Sequence, residues 1–169
     1  KKYSKEKHVL SANASSFQLF INRNIQNEHL LLRHYSEGSA LLSDIVGFTA
    51  YASTKNAEQV FEMLNIQFSR IDAIAEKFEI EKVKTIGDAY FAVDYRHCKH
   101  MENILNMACS MQRMLSKLNF QYNWNFQMRI GCATGPIDLV ILGSVAHKIT
   151  FDCFGPAVTK AKYLEHNCL

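Results

Sequence analysis

The sequence predicts an α+β fold, a ferredoxin-like βαββαβ sandwich in which helices cover one face of an antiparallel sheet. Three observations support this prediction: short apolar segments that end in turn residues, two long segments with apolar residues at helical spacing, and the order in which they alternate. That order is strand, helix, hairpin, helix, then further strands. It is typical of a sheet with helices on one face and the other face left for a partner or ligand.

Residues 1–35 are expected to form an N-terminal connector, in part helical, that leads into a main domain spanning residues 36–169. The apolar residues of the connector follow no single clean period. The turn residues Ser36-Glu37-Gly38 precede the first strand, which runs from Ser39 toward Asp44.

The remaining elements follow along the chain. Apolar residues at helical spacing predict one helix from Asn56 to Phe78 and a second from about Met101 to Leu118. Between the two helices, alternating apolar residues predict a hairpin with Gly87-Asp88 at its tip. Further strands are predicted over residues 126–133, 137–142 and 149–154.

Composition narrows the class of protein. The chain has 169 residues, 48% of them hydrophobic, which is enough for one core. Its net charge of +3 indicates neither a nucleic-acid partner nor a membrane-binding patch. No apolar segment approaches the roughly 20 residues that span a bilayer, so we expect any membrane anchor of the parent protein to lie outside this fragment. The 5 cysteines are irregularly spaced, which indicates reduced thiols and a cytoplasmic domain.

Two aspartates are the first candidate site residues. Asp44 ends the first strand and is followed by Ile45-Val46-Gly47-Phe48-Thr49, and Asp88 lies at the hairpin tip. Two carboxylates at strand ends can meet, and hard oxygen ligands next to a glycine and a hydroxyl residue suit Mg²⁺ that carries a nucleoside triphosphate. The alternative is ordinary turn chemistry, because aspartate next to glycine is common in turns.

Several motifs in one order closely resemble the class III adenylyl and guanylyl cyclases. The matching segments are residues 42–49, 64–65, 81–90, 128–131 and 134–136. The resemblance covers about residues 39–165. It implies a dimeric catalytic module with active sites at the interface between two such domains. It also implies that the chain stops before the terminal strands of the family.

The resemblance implies a metal site and a phosphate site. Asp44, Asp88 and the backbone carbonyl of Ile45 would hold two Mg²⁺ or Mn²⁺ ions, one polarising the ribose 3′-hydroxyl and the other neutralising the triphosphate. Arg129 would bind the triphosphate. Phosphate oxygens would be cradled by the backbone amides of Val46, Gly47, Phe48 and Thr49.

Lys84 and Asp152 match the pair that selects adenine in this family, where guanine-selecting members usually carry Glu and Cys. A lysine donor and an aspartate acceptor suit the ring nitrogen and the exocyclic amine of adenine. In a pseudo-heterodimer, however, this pair would face the second, degenerate site. ATP is therefore the first expected substrate, and GTP stays the alternative.

Two positions depart from the family pattern. Where catalytic halves carry an Asn and, one turn later, an Arg, this chain has Thr159 and Tyr163. Neither residue supplies a fixed cation for the transferred phosphate. The chain thus resembles the metal-bearing half of a pseudo-heterodimeric cyclase, weak or inactive until a complementary domain joins it. The alternative from another class is a regulatory pseudo-cyclase that binds nucleotide or partner without chemistry.

Overall fold

The computed structural model describes residues 31–142 and 150–168. In chain order the elements are β1 (Leu31–Ile45), α1 (Phe48–Ser53), α2 (Ala57–Lys77), β2 (Glu81–Ile86), β3 (Ala89–Asp94), α3 (His100–Tyr122), β4 (Met128–Leu142), β5 (Thr150–Phe154) and α4 (Pro156–His166). The predicted N-terminal connector lies largely outside these ranges. None of the helices within them is both long and apolar enough to cross a membrane.

The strands form one antiparallel sheet in the order β2, β3, β1, β4, β5. This confirms the predicted α+β class and the predicted hairpin. β1 lies at the centre, with Ser43 opposite Tyr90 of β3 and opposite Ile130 of β4. The turn between β2 and β3 is therefore adjacent to the carboxyl end of β1.

β1 and β4 are longer than the sequence predicts, because turn residues inside them disturb the ladder without ending it. The register between the two strands shifts between Tyr35 and Gly38, with Gly38 opposite Gly135 and Tyr35 opposite Ile137. A local irregularity of this kind absorbs residues that cannot pair regularly. As a result, β1 begins at Leu31 and crosses the boundary predicted between residues 35 and 36.

Helices α2 and α3 cover one face of the sheet, as their apolar periodicity predicts. Asn56 caps α2 through a reciprocal capping box with Gln59. A hydrophobic core fills the space between these two helices and the sheet. Its helix residues include Met63, Ile71, Ala75, Ile104, Met107, Met111 and Leu115, and its sheet residues include Leu41, Ile45, Tyr90, Ala92 and Met128.

Helix α4 belongs to a second core built from the alternate residues of the strands, so it lies on the face that was expected to stay open. Both sides of β1 and β3 carry apolar residues, and both therefore gain from being covered. Ala157 and Ala161 of α4 are fully buried there. Gly131 permits the close approach, since a Cβ at this position would lie 2.0 Å from the carbonyl oxygen of Ala161.

Candidate active site

The fold brings Asp44 and Asp88 together. Asp44 is the penultimate residue of β1, and Asp88 follows Gly87 in the turn between β2 and β3. Gly87 has a φ of +61°, a conformation that glycine adopts readily. The amide of Ile45 donates a hydrogen bond to Oδ2 of Asp88 over 3.1 Å, which fixes the turn against the end of β1.

The two carboxyl groups interact directly. The pKa of Asp88 is raised from its ordinary 3.8 to about 6, chiefly by burial and then by the hydrogen bond and negative charge of Asp44, whereas the Ile45 amide opposes the shift. Two ionised carboxylates in this position repel each other. A bound cation relieves such repulsion, so the chemistry of the donor set fits a metal ion.

No group of three or more His, Cys, Asp or Glu side chains suited to a metal is found among residues 31–142 and 150–168. Asp44 and Asp88, with the backbone oxygen of Ile45, would thus fill only part of a coordination sphere. This matches the way Mg²⁺ is commonly bound, through one or two carboxylates together with water and substrate phosphates. The residues present fit a divalent ion that arrives with its substrate.

Arg129 stands beside the aspartate pair but is engaged with carboxylates. It lies opposite Asp44 in the ladder of β1 and β4. Its Nη2 donates to Oδ2 of Asp44 over 2.6 Å, and its Nε lies 3.2 Å from Oε1 of Glu165 on α4. Both side chains of the Arg129–Asp44 pair are partly exposed. Arg129 thus partly offsets the negative charge of the site.

Glu165 is a site residue that the motif reasoning missed. Its side chain is only 13% exposed, although it lies near the end of α4. Ala157, Ala161 and Glu165 recur every four residues and so share one stripe of the helix. Because two of the three are small and buried, a charge at the third position signals a partner on the sheet.

The loop that leads from β1 into α1 is partly committed to the fold. The amide of Val46, one of the expected phosphate contacts, donates to the carbonyl of Gln127 over 2.9 Å in this structure. Gly47 immediately precedes α1, has a φ of +76° and provides no side-chain cap. The amides of Phe48 and Thr49 belong to the first turn, where no intrahelical acceptor exists.

Lys84 and Asp152 form an ion pair. Nζ of Lys84 lies 2.5 Å from Oδ2 of Asp152, and Oδ1 of Asp152 accepts the amide of Cys153 over 2.9 Å. Lys84 is on β2 and Asp152 on β5, the two outer strands of the sheet. The sheet must therefore curl strongly to bring its edges together.

Thr159 and Tyr163 lie on α4 without contacting the aspartates. The hydroxyl of Thr159 donates to the carbonyl of Gly155 over 3.3 Å. The side chain of Tyr163 is 66% exposed. Lys160 and Lys162 are also exposed. In the described part of the chain, the exposed side of α4 thus carries a threonine and a tyrosine at these two positions. The cation in contact with the aspartate pair is Arg129.

Comparison with known proteins agrees with the fold and the motifs. A family model described as the adenylate and guanylate cyclase catalytic domain matches residues 32–169. A membrane guanylyl cyclase of Dictyostelium discoideum is 36% identical over 141 residues, which cover 80% of this chain and 9% of that protein. An adenylate cyclase of Mycobacterium bovis is 29% identical over 140 residues, which cover 81% of this chain and 31% of that protein. The chain thus spans less than a third of these relatives.

Solved structures show the same architecture. The catalytic core of a rhodopsin-guanylyl cyclase with converted specificity, in complex with ATPαS, superposes with a TM-score of 0.74 at 28% identity, over 80% of this chain and 74% of that one. A non-canonical dimeric guanylyl cyclase domain from Blastocladiella emersonii has a TM-score of 0.74 at 27% identity, over 82% and 78%.

Proposed function

Because the chain belongs to the family of adenylate and guanylate cyclase catalytic domains, we propose that it is the metal-bearing half of a nucleotidyl cyclase. It converts a purine nucleoside triphosphate to the 3′,5′-cyclic monophosphate and pyrophosphate when paired with a complementary domain. The observation that carries this proposal is the contact between Asp44 and Asp88 at the end of β1. The proposed location of this domain is the cytoplasm, with any membrane anchor of the parent protein outside residues 1–169.

Asp44, Asp88 and the carbonyl of Ile45 are the proposed ligands of two Mg²⁺ or Mn²⁺ ions. When bound, such ions activate the 3′-hydroxyl and neutralise the triphosphate. The Ile45 amide holds Asp88 in place for this role. The amides of Gly47, Phe48 and Thr49 face no intrahelical acceptor and are the proposed contacts for phosphate oxygens.

Arg129 is the proposed triphosphate-binding cation. In the described structure it neutralises Asp44 and Glu165. A cation bound by Asp44 would weaken that contact and free the guanidinium group, which can then hold phosphate oxygens in a bidentate manner. The metal therefore competes with Arg129 for Asp44, and the triphosphate competes with Asp44 for Arg129.

A complementary domain is needed because this chain has no fixed cation at the positions of Thr159 and Tyr163. Stabilisation of charge that develops on the transferred phosphate is usually the largest catalytic effect, and removal of one donor costs about 10²–10³ in rate. The same substitutions favour the second candidate function, a regulatory pseudo-cyclase that binds nucleotide or a partner without turnover.

ATP is the proposed substrate and GTP the alternative. The Lys84–Asp152 pair offers one donor and one acceptor, which suits adenine. In favour of GTP, the Dictyostelium relative is named a guanylyl cyclase and is 36% identical, compared with 29% for the mycobacterial adenylate cyclase.

The test measures Mn²⁺-dependent production of cyclic AMP and cyclic GMP by this chain alone and mixed with the complementary domain of its own parent protein. Product in the mixture that disappears with Asp44→Ala and with Asp88→Ala supports the proposal. Asp138→Ala is the matched control, since Asp138 pairs with His34 away from the site. Activity that survives both site variants contradicts the metal assignment. Nucleotide binding without turnover in the mixture favours the pseudo-cyclase.

A further inference from the structure

A groove between α2 and α3 lies on the helical layer of the domain. Its volume is about 520 Å³, within the range of about 300–1,000 Å³ that is typical of small-molecule sites. Its walls come from the second half of α2 and the second half of α3. The proposed catalytic residues do not line it, so the groove is a separate feature of the molecule.

The floor of the groove is apolar. Ile74 of α2 and Phe78 immediately after it contribute from one side, and Met114 and Leu118 of α3 contribute from the other. Leu118 is buried and the other three are half-buried, so the floor is continuous with the core beneath the helices. An apolar chain placed on this floor would remove further apolar surface from water.

The rim of the groove is positively charged. Arg70 and Lys77 stand on α2, and Arg113 and Lys117 stand on α3, all four exposed. Lys77 also lies over the ring of Phe78, with Nζ 5.5 Å from the ring centroid. Arg113 and Lys117 are one helical turn apart, a spacing at which like charges destabilise a helix unless an anion lies between them.

The rim cations lack counter-charges within the described residues. None of the four forms an ion pair there, and no acidic residue lines the groove. The acidic residue of α3 is Glu102 in its first turn, which pairs with Lys99. Asp72 of α2 is held by Lys82 and Tyr90. Glu76 of α2 is next to Lys77 in sequence, but it neither lines the groove nor forms an ion pair with a rim cation, so the lining of the groove carries positive charge only.

From an apolar floor under four unpaired cations, we propose that this groove binds a small anionic amphiphile, with its phosphate or carboxylate head between the two basic walls and its apolar tail on the floor. The complementarity is of two kinds, charge at the rim and apolar contact below. Neither a free inorganic anion nor a neutral amphiphile satisfies both.

The test uses decyl phosphate, kept below its micellar concentration, and measures its binding to the full 169-residue chain by titration calorimetry. Inorganic phosphate supplies the charge without the tail, and decyl maltoside supplies the tail without the charge. We expect each to bind at least about tenfold more weakly than decyl phosphate, which is the loss expected when about 1.4 kcal/mol of complementary contact is missing.

Two double variants locate the site. Arg113→Gln with Lys117→Gln removes the charge of the α3 wall while keeping residues that favour helix. Lys160→Gln with Lys162→Gln removes the same charge from exposed positions of α4 and is the matched control. We expect the first variant to weaken decyl phosphate binding at least about tenfold. The second should change the affinity by no more than about twofold, because salt screens the attraction between the ligand and distant charges.

Three results would overturn the proposal. The first is absence of decyl phosphate binding to the unaltered chain. The second is equal weakening by the α3 and α4 variants, which would indicate nonspecific charge attraction. The third is binding to anionic phospholipid vesicles with no binding to monomeric decyl phosphate, which would assign this face to a membrane surface. Circular dichroism of both variants confirms that their helices remain intact.

Discussion

Nη2 of Arg129 donates to Oδ2 of Asp44 over 2.6 Å, so the cation proposed for the triphosphate is bound to a carboxylate proposed for the metal. The two residues are register partners on β1 and β4. Their contact is thus set by the sheet, and it places a cation beside Asp44. On the proposed function, a metal ion that binds Asp44 has to replace this internal cation.

Replacing Arg129 with glutamine should separate metal binding from nucleotide binding. Without the guanidinium group, no internal cation competes for Asp44, so Mn²⁺ alone should bind several-fold more tightly, by roughly 1 kcal/mol for charges near a protein surface. Nucleotide affinity should fall about tenfold or more because a bidentate phosphate contact is lost. Calorimetry with Mn²⁺ and with a non-cyclisable nucleotide measures the two effects.

Lys99→Gln is the control for Arg129→Gln, because it removes one positive charge from an exposed position immediately before α3. It should leave both Mn²⁺ and nucleotide affinities unchanged within about twofold, since exposed charges more than roughly 10 Å apart are largely screened. Unchanged Mn²⁺ affinity in Arg129→Gln would contradict the idea that the arginine and the metal compete.

Asp88→Asn should stabilise the metal-free protein above neutral pH. The pKa of Asp88 is raised to about 6 in the folded state against 3.8 ordinarily. The stability associated with its protonation is therefore complete below about pH 3.8 and is lost as the pH rises through about 6. At pH 8 the variant should be more stable by about 1 kcal/mol, after allowance for the partial exposure of the group.

Urea unfolding of Asp88→Asn and the parent chain at pH 5 and pH 8, with a chelator present, checks this dependence. The difference in free energy of unfolding should be larger at pH 8. Asp138→Asn is the control, since its partner is the exposed His34. A gap between Asp88→Asn and the parent that does not grow with pH would mean that Asp88 is not strained by burial and by Asp44.

Gly131→Ala should displace α4. A Cβ at this position would lie 2.0 Å from the carbonyl oxygen of Ala161 and 2.4 Å from the amide nitrogen of Glu165, both backbone atoms that cannot rotate away. We expect a loss of about 3 kcal/mol or more in the free energy of unfolding, the upper range for overpacked sites. The contact of Arg129 with Glu165 should be lost with it.

Gly38→Ala is a matched control for Gly131→Ala. Its nearest obstacle is Cδ1 of Ile137 at 2.7 Å, the end of a flexible side chain, so the cost should be smaller. Equal destabilisation by the two variants, measured by urea unfolding, would show that α4 does not depend on close contact with Gly131.

Sequence reasoning was most successful where local pattern and structure agree. The helical periods of α2 and α3 and the Gly87-Asp88 hairpin were predicted and are confirmed. Turn residues misled it at Ser36-Glu37 and at Gly135-Pro136, because a turn signal does not distinguish a chain break from an irregularity shared by two paired strands. Only the partner strand resolves that ambiguity.

The site was predicted in part for similar reasons. The sequence predicts that Asp44 and Asp88 lie close together, because one ends a strand and the other lies at the tip of a hairpin in the same sheet. Glu165 and the used amide of Val46 were not anticipated, since both depend on contacts between elements that are distant in sequence, with Arg129 and Gln127 respectively. Likewise, the helix arrangement depends on how α4 fits against Gly131.

Thr159→Asn combined with Tyr163→Arg should create measurable cyclase activity in this chain without a complementary domain. The double variant restores the amide and guanidinium groups that the family places at these positions, in a chain that already has Asp44 and Asp88. Tyr163 is 66% exposed and Thr159 is also exposed, so the fold should tolerate both changes. We expect product formation to rise about 10²-fold or more, the usual scale for a restored charge-stabilising group.

The same double variant carrying Asp88→Asn is the control and should lose the gained activity, because on the proposed function Asp88 holds the metal ion that the substrate requires. Size-exclusion chromatography should show activity in the dimer fraction, since the restored groups of one protomer must reach the aspartates of the other. A dimeric double variant that binds nucleotide yet remains silent would mean that Thr159 and Tyr163 are not what limits catalysis, and would favour the regulatory pseudo-cyclase.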